Sequence, residues 1–169
     1  DSEVAVNVAA EDGPQLPTCA GDDAEPQGSY TFTRTFTATA IDDCGNETTT
    51  SCQQLFAVTD ETPPELSIEC PATATVLLDE NCEADSSTEV TGLPAIDATD
   101  GCDSELALTT THEDSAIEML CTAEGQQADT QAEGSFSFTR TFTVTATDDC
   151  GNTAMATCAQ LIEVLDATA

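Results

Sequence analysis

Polar and apolar residues alternate strictly along residues 136–147, FSFTRTFTVTAT. Phe136, Phe138, Arg140, Phe142, Val144 and Ala146 fall on one face, and Ser137, Thr139, Thr141, Thr143 and Thr145 on the other. Extended backbone sends successive side chains to opposite sides, and Thr and aromatic residues suit a pleated surface, so this pattern predicts a β-strand. Asp148-Asp149-Cys150-Gly151-Asn152 reads as a turn. A second strand is expected over 153–165, and shorter strands at 65–70, 73–79, 105–112 and 116–121. No segment carries a helical period. Hairpins of this kind predict an antiparallel β-sandwich with a seven-strand-like layout.

The pattern occurs twice. Residues 30–46 read YTFTRTFTATAIDDCGN, and residues 136–152 read FSFTRTFTVTATDDCGN. The match extends outward: Asp1-Ser2-Glu3 aligns with Asp103-Ser104-Glu105, and Glu11-Asp12 with Glu113-Asp114. Cys19, Cys44, Cys52 and Asp60 align with Cys121, Cys150, Cys158 and Asp166. The offset is 102 residues at Asp1 and 106 at Cys44, the length of an immunoglobulin-type domain. Residues 64–169 read as a complete copy. Residues 1–63 read as an incomplete copy lacking its opening strands, because its first residue aligns with Asp103. Thr59-Asp60-Glu61-Thr62-Pro63-Pro64 is expected to be a short, stiff linker. The 169 residues are thus expected to be part of a longer array.

Composition narrows the partners. The 169 residues hold 33 acidic side chains and two basic ones, for a net charge of −31. Such a surface repels the phosphates of nucleic acids and anionic membranes. No apolar run is long enough to span a bilayer, so no membrane insertion is expected. No signal-peptide pattern is present, and the sequence reads as a mature piece or a fragment. High charge with few aromatics also fits disorder, but nine cysteines at repeated spacings argue for a folded, oxidised, extracellular or cell-surface protein. Cys70, Cys82, Cys102, Cys121, Cys150 and Cys158 belong to the complete copy, and Cys19, Cys44 and Cys52 to the other. Six cysteines leave the connectivity open. The missing front of the first copy would carry the partners of its three.

Four sets of residues are candidates for chemistry. Arg34 and Arg140 lie among phenylalanines at the same place in both copies. A structural role is expected, with the guanidinium packed on rings and paired with a carboxylate. Asp97, Asp100 and Asp103, with Asp148 and Asp149 of the turn, could gather oxygen ligands for Ca²⁺, and linker residues Asp60 and Glu61 could add a second site. Asn46-Glu47-Thr48 is a glycosylation sequon, which would make the chain a glycoprotein. His112 aligns with Ala10, so the repeat does not require it, and no nucleophile–base pattern stands out. No enzyme activity and no cofactor beyond calcium are expected.

Ile68-Glu69-Cys70-Pro71, Ala98-Thr99-Asp100 and the run from Phe142 to Asn152 together resemble the hyalin repeat, HYR, and HYR-like tandem repeats of giant surface adhesins of gliding Bacteroidetes. The resemblance covers essentially the whole chain. It implies tandem immunoglobulin-like β-sandwiches, stapled by disulfides, with adhesive or structural roles and no catalysis. It also implies a Cys70–Cys158 bond. Cys102 and Cys150, both in Asp-Gly-type loops, are then expected to pair, which leaves Cys82 with Cys121. The expected function is a stalk, adhesin or filament built by end-to-end stacking. Its expected partners are adjacent repeats or copies of itself, head to tail, with the missing strands supplied either by upstream residues of the same polypeptide or by strand complementation from a neighbour. The competing expectation is a module that binds glycans or proteins through loops at one end of the sandwich.

Overall fold

The computed structural model describes residues 4–19, 28–120 and 134–167. The chain divides into two units. One comprises Asp1–Thr62 with Gly101–Glu105 and Asp148–Asn152; the other comprises Pro63–Asp100, Leu106–Thr147 and Thr153–Ala169. Both are built almost entirely of β-strands.

The first unit is one antiparallel sheet made of β1 (Ala5–Asp12), β2 (Leu16–Pro17), β3 (Tyr30–Ile41) and β4 (Glu47–Val58). β3 is its spine. It pairs with β4 along its whole length, from Tyr30↔Val58 to Ile41↔Glu47. Its other edge takes β1, with Asp12↔Arg34 to Ala5↔Ile41, and then β2. The register puts Val6, Val8, Ala10 and Asp12 on the same face as Phe32, Arg34, Phe36 and Ala38, and as Cys52, Gln54 and Phe56. None of the described sheet residues in this unit is buried.

The second unit contains β5 (Glu65–Glu69), β6 (Ala74–Leu77), the short helix α1 (Thr88–Thr91), β7 (Ala95–Thr99), β8 (Ala107–Asp114), β9 (Glu118–Met119), β10 (Phe136–Thr147) and β11 (Thr153–Leu165). β6, β11, β10 and β8 form one sheet in that order, with β9 also on β10. β5 and β7 form a separate two-stranded sheet. The alternation of β10 maps onto burial: Phe142, Val144 and Ala146 are fully buried and Phe138 nearly so, whereas Thr141 is exposed. Leu78, Phe138, Ile162 and Val164 form the core, with Ala74, Val76, Ala84 and Phe136 packed around it. Burial of each large apolar side chain contributes about 1.5–3 kcal/mol, so these few residues dominate the unit's hydrophobic stabilisation.

Three features depart from the sequence expectation. β6 pairs with β11 in parallel, Ala74↔Ile162 to Leu77↔Leu165, so the unit is not purely antiparallel. β5 ends at Glu69, just before the Cys70-Pro71 step, where Pro71 lacks the N–H that a continuing ladder needs. α1 and β7 were not expected, since a four-residue helix and a strand with Asp97 at its centre are too short to show a period.

Candidate functional site

Each unit holds one arginine, placed identically. Arg34 faces Asp12 across β3 and β1, and Arg140 faces Asp114 across β10 and β8. Opposed residues in neighbouring strands share a face and stand close, so the guanidinium meets the carboxylate through both of its forks. Arg34 Nε and Nη2 donate to the two oxygens of Asp12, and its guanidinium lies over the rings of Phe32 and Phe56, 5.7 and 5.0 Å from their centroids. Arg140 Nε and Nη2 each donate over 2.7 Å to Asp114, and the guanidinium lies 5.7 Å from the centroid of Phe138. Each arginine holds its aspartate below the ordinary carboxylate range, through the hydrogen bond first and the charge second.

Burial separates the two clamps. The Arg140 side chain is 4% exposed, against 35% for Arg34. The difference lies in the stretch between β5 and β7. There the Ser86 carbonyl and the Thr91 hydroxyl accept from Arg140 Nη1 at 2.8 and 3.1 Å. Beside Arg140, Gln160 is 1% exposed and donates through Nε2 to the carbonyls of Ala72 and Thr91, at 2.9 and 2.7 Å. Its Oε1 has no hydrogen-bond partner among the described residues. Gln160, Thr91 and Ser86 were not singled out from the sequence. The signal was there for Gln160, because Gln54 occupies the matching position, opposite Arg34 as Gln160 is opposite Arg140.

The cysteines divide differently from expectation. Cys70 and Cys158 stand at disulfide distance within the second unit, joining the end of β5 to β11. Cys150 stands at disulfide distance from Cys19, within the first unit, rather than from Cys102. The expected Cys102–Cys150 pair is therefore replaced, and Cys19 has its partner within the 169 residues rather than in a missing front. The turn that carries Cys150 groups with the first unit, and this places it against Cys19. Cys44, Cys52 and Cys82 are exposed free thiols. Cys102 is exposed, and Cys121, the expected partner of Cys82, lies outside the described residues.

The acidic candidates fall in both units. Asp103, Asp148, Asp149, Asp60 and Glu61 belong to the first, and Asp97 and Asp100 to the second. Asp148 is buried and accepts from Asn152 through both oxygens, from the backbone N–H and from Nδ2, each at 2.7 Å. Asp42 receives the same pair of bonds from Asn46, at 2.8 and 2.7 Å. The amide of the glycosylation sequon is thus part of a turn. Asp79 makes a third such turn, accepting from the N–H groups of Asn81 and Glu83. These bonds hold Asp42 and Asp79 below the ordinary carboxylate range, led by the Asn46 side chain in the first and the Glu83 N–H in the second. Gly45 and Gly151 take the left-handed position of their turns, at φ 84° and 88°, and Cys82 takes it in the third at φ 61°. Asp103 accepts from the N–H groups of Asp149 and Glu105, Asp60 accepts from that of Thr62, and Asp97 lies on β7 opposite Ser67. Of the carboxylates expected as metal ligands, Asp60, Asp103 and Asp148 thus also serve as acceptors within turns.

No protein-family model and no curated protein matches this sequence. Among the described residues no helix is long and apolar enough to cross a membrane.

Proposed function

We propose that the chain is a structural, non-catalytic segment of an extracellular repeat protein, of the HYR-like type, that forms a stalk, adhesin or filament by end-to-end stacking of β-domains. One observation carries this reading. Both copies keep an arginine–aspartate clamp at the same register, seated on phenylalanine rings, although they differ in what covers it. A residue set retained for chemistry would be open to a substrate. In the second unit the clamp is closed over by backbone and by Thr91, which suits mechanical reinforcement. The paired cysteines support an oxidising, extracellular setting, in which they act as staples. Calcium enters this reading as a counter-ion to the acidic surface. Adhesion through a bound glycan or protein is the second reading. It is favoured by a groove of about 790 Å³ beside the Asp79–Glu83 turn, lined by Leu78, Asn81, Glu83, Ala84 and Phe136.

Electron microscopy of the native assembly tests the first reading. Filaments or stalks with an axial repeat of β-domains are expected, and isolated compact particles would overturn it. A melting scan in Ca²⁺ against EDTA tests the counter-ion, with a higher midpoint expected in Ca²⁺ and a similar rise at equal Mg²⁺.

A further inference from the structure

Strand alternation gives each sheet two faces, and the face opposite the phenylalanines is rich in threonine in both units. In the second unit Thr111, Thr143 and Thr157 lie abreast on β8, β10 and β11, and Thr109, Thr145 and Met155 form the next row. In the first unit Asn7, Thr39 and Thr49 lie abreast on β1, β3 and β4, with Ala9, Thr37 and Ser51 in the next row. The chain holds 33 acidic side chains, yet this face is almost free of them. From Thr139 to Thr147 and their partners on β8 and β11, Glu113 is the one charged residue, and from Thr33 to Thr39 with their partners it is Glu11. Each unit also sets a leucine on this face, Leu55 opposite Thr33 and Leu161 opposite Thr139, 70% and 42% exposed. The phenylalanine face of the second unit is covered by residues 70–91, whereas Thr141 on the opposite face is exposed.

We propose that the threonine face is a self-contact, which docks on the same face of a second copy of this chain. Charge selects the occupant. A chain of net charge −31 repels its own copies over most of its surface. The neutral face lets two copies approach without setting carboxylates against one another. Threonine suits such a contact because its χ1 is already restricted, so little side-chain freedom is lost on burial. Its methyl groups, with the exposed leucines and Met155, supply the apolar area. Both arginines and Tyr30 lie on the phenylalanine side, so the face lacks the anchors that make tight contacts with foreign partners.

Area sets the strength. The stretch Thr139–Thr147 across three strands, at about 3.4 Å per residue and about 4.8 Å per strand, makes a face of roughly 400 Å². Two such faces bury about 800 Å² together, short of the ~1,200 Å² at which stable pairs begin. One contact is therefore weak, and contacts repeated along a tandem chain reinforce one another through effective concentration. The inference goes beyond end-to-end stacking, because it joins chains side by side.

The test is sedimentation equilibrium of the full 169-residue chain up to about millimolar protein, at about 0.15 M salt, where charges more than about 8 Å apart are screened but apposed ones are not. The average mass of the parent is expected to rise with concentration. One variant carries Thr37→Glu with Thr143→Glu, and a second carries Thr37→Lys with Thr143→Lys. Each alone sets like charges face to face and should associate at least about tenfold more weakly than the parent. An equimolar mixture of the two should return to the parent's level or above it. The same charges at Thr62 and Thr73, which are exposed and outside the sheets, should leave association unchanged. A parent that stays monomeric, variants that associate as the parent does, a mixture as weak as its components, or an equal loss in the Thr62 and Thr73 controls each overturn the proposal. Filaments seen by microscopy together with a monomeric parent would overturn the self-contact alone, whereas isolated particles would overturn the stacking reading.

Discussion

Arg140 and Asp114 meet as a two-pronged pair across β10 and β8, with both N···O distances at 2.7 Å. Arg34 and Asp12 repeat the pair in the first unit. The same chemistry in two degrees of burial makes an internal comparison. Arg140→Ala removes five contacts to a nearly enclosed guanidinium and leaves the Asp114 carboxylate and the Thr91 hydroxyl without it. We expect a loss of about 3 kcal/mol, at the low end for broken buried pairs because Asp114 is partly exposed. Arg34→Ala strips a solvent-screened pair and should cost far less. Urea unfolding of both variants measures the difference, and equal losses would contradict the account.

Gln160 should matter for a related reason. Gln160→Met fills similar volume but leaves the Ala72 and Thr91 carbonyls unsatisfied in the interior. A loss of about 1–3 kcal/mol is expected. The matching Gln54→Met change in the exposed copy is expected to leave the unfolding midpoint where it is.

Acid should loosen the buried clamp. The Asp114 pKa is lowered by its hydrogen bond from Arg140, and next by the charge of that group. A carboxylate with a lower pKa in the folded state than in the unfolded chain stabilises the fold fully above the unfolded value of about 3.9. That contribution is lost as pH falls through the lower folded value. Asp114→Asn should therefore be less stable than the parent at pH 7, and the gap should shrink below about pH 4. Relief of the general repulsion on acidification affects both proteins alike and cancels in the comparison. A gap that widens in acid would refute the assignment.

The left-handed turn position occupied by Cys82 offers a gain. Gly45 and Gly151 hold the same place at no steric cost, whereas a side chain at φ 61° is crowded against the following carbonyl. Cys82→Gly should stabilise the second unit by about 0.5–1 kcal/mol, read as a higher denaturation midpoint. A lower midpoint would show that the Cys82 side chain contributes more than its backbone costs.

Much of the sheet was legible because its signal is local. The period-two runs over β10 and β11 and the Asp-Asp-Cys-Gly-Asn turn lie within one hairpin, and the duplicated segment transferred them to β3 and β4. The roles of Arg34 and Arg140 could be proposed because a charge on an apolar strand face needs a partner, and their carboxylates sit in the matched Glu-Asp pairs. What could not be read depended on distant segments. The parallel run of β6 on β11 joins residues far apart in sequence, and no period encodes strand direction. The Cys19–Cys150 pair spans 131 residues and follows from where a turn sits rather than from spacing. Asp148 is expected among cation ligands from its place in an acidic turn, and the asparagine four residues on that donates to both of its oxygens is visible only in the structure.

The cover over Arg140 also bears on the order of folding. The β3–β4 and β10–β11 hairpins each close over a short turn, whereas the cover in the second unit must be brought from residues 70–91 to strands beyond 136. Contacts over short loops form sooner than those over long ones. The hairpin of β10 and β11 should therefore gain protection first in pulse-labelled hydrogen exchange, with α1 and β6 following. The last event is then the closing of residues 70–91 over Arg140.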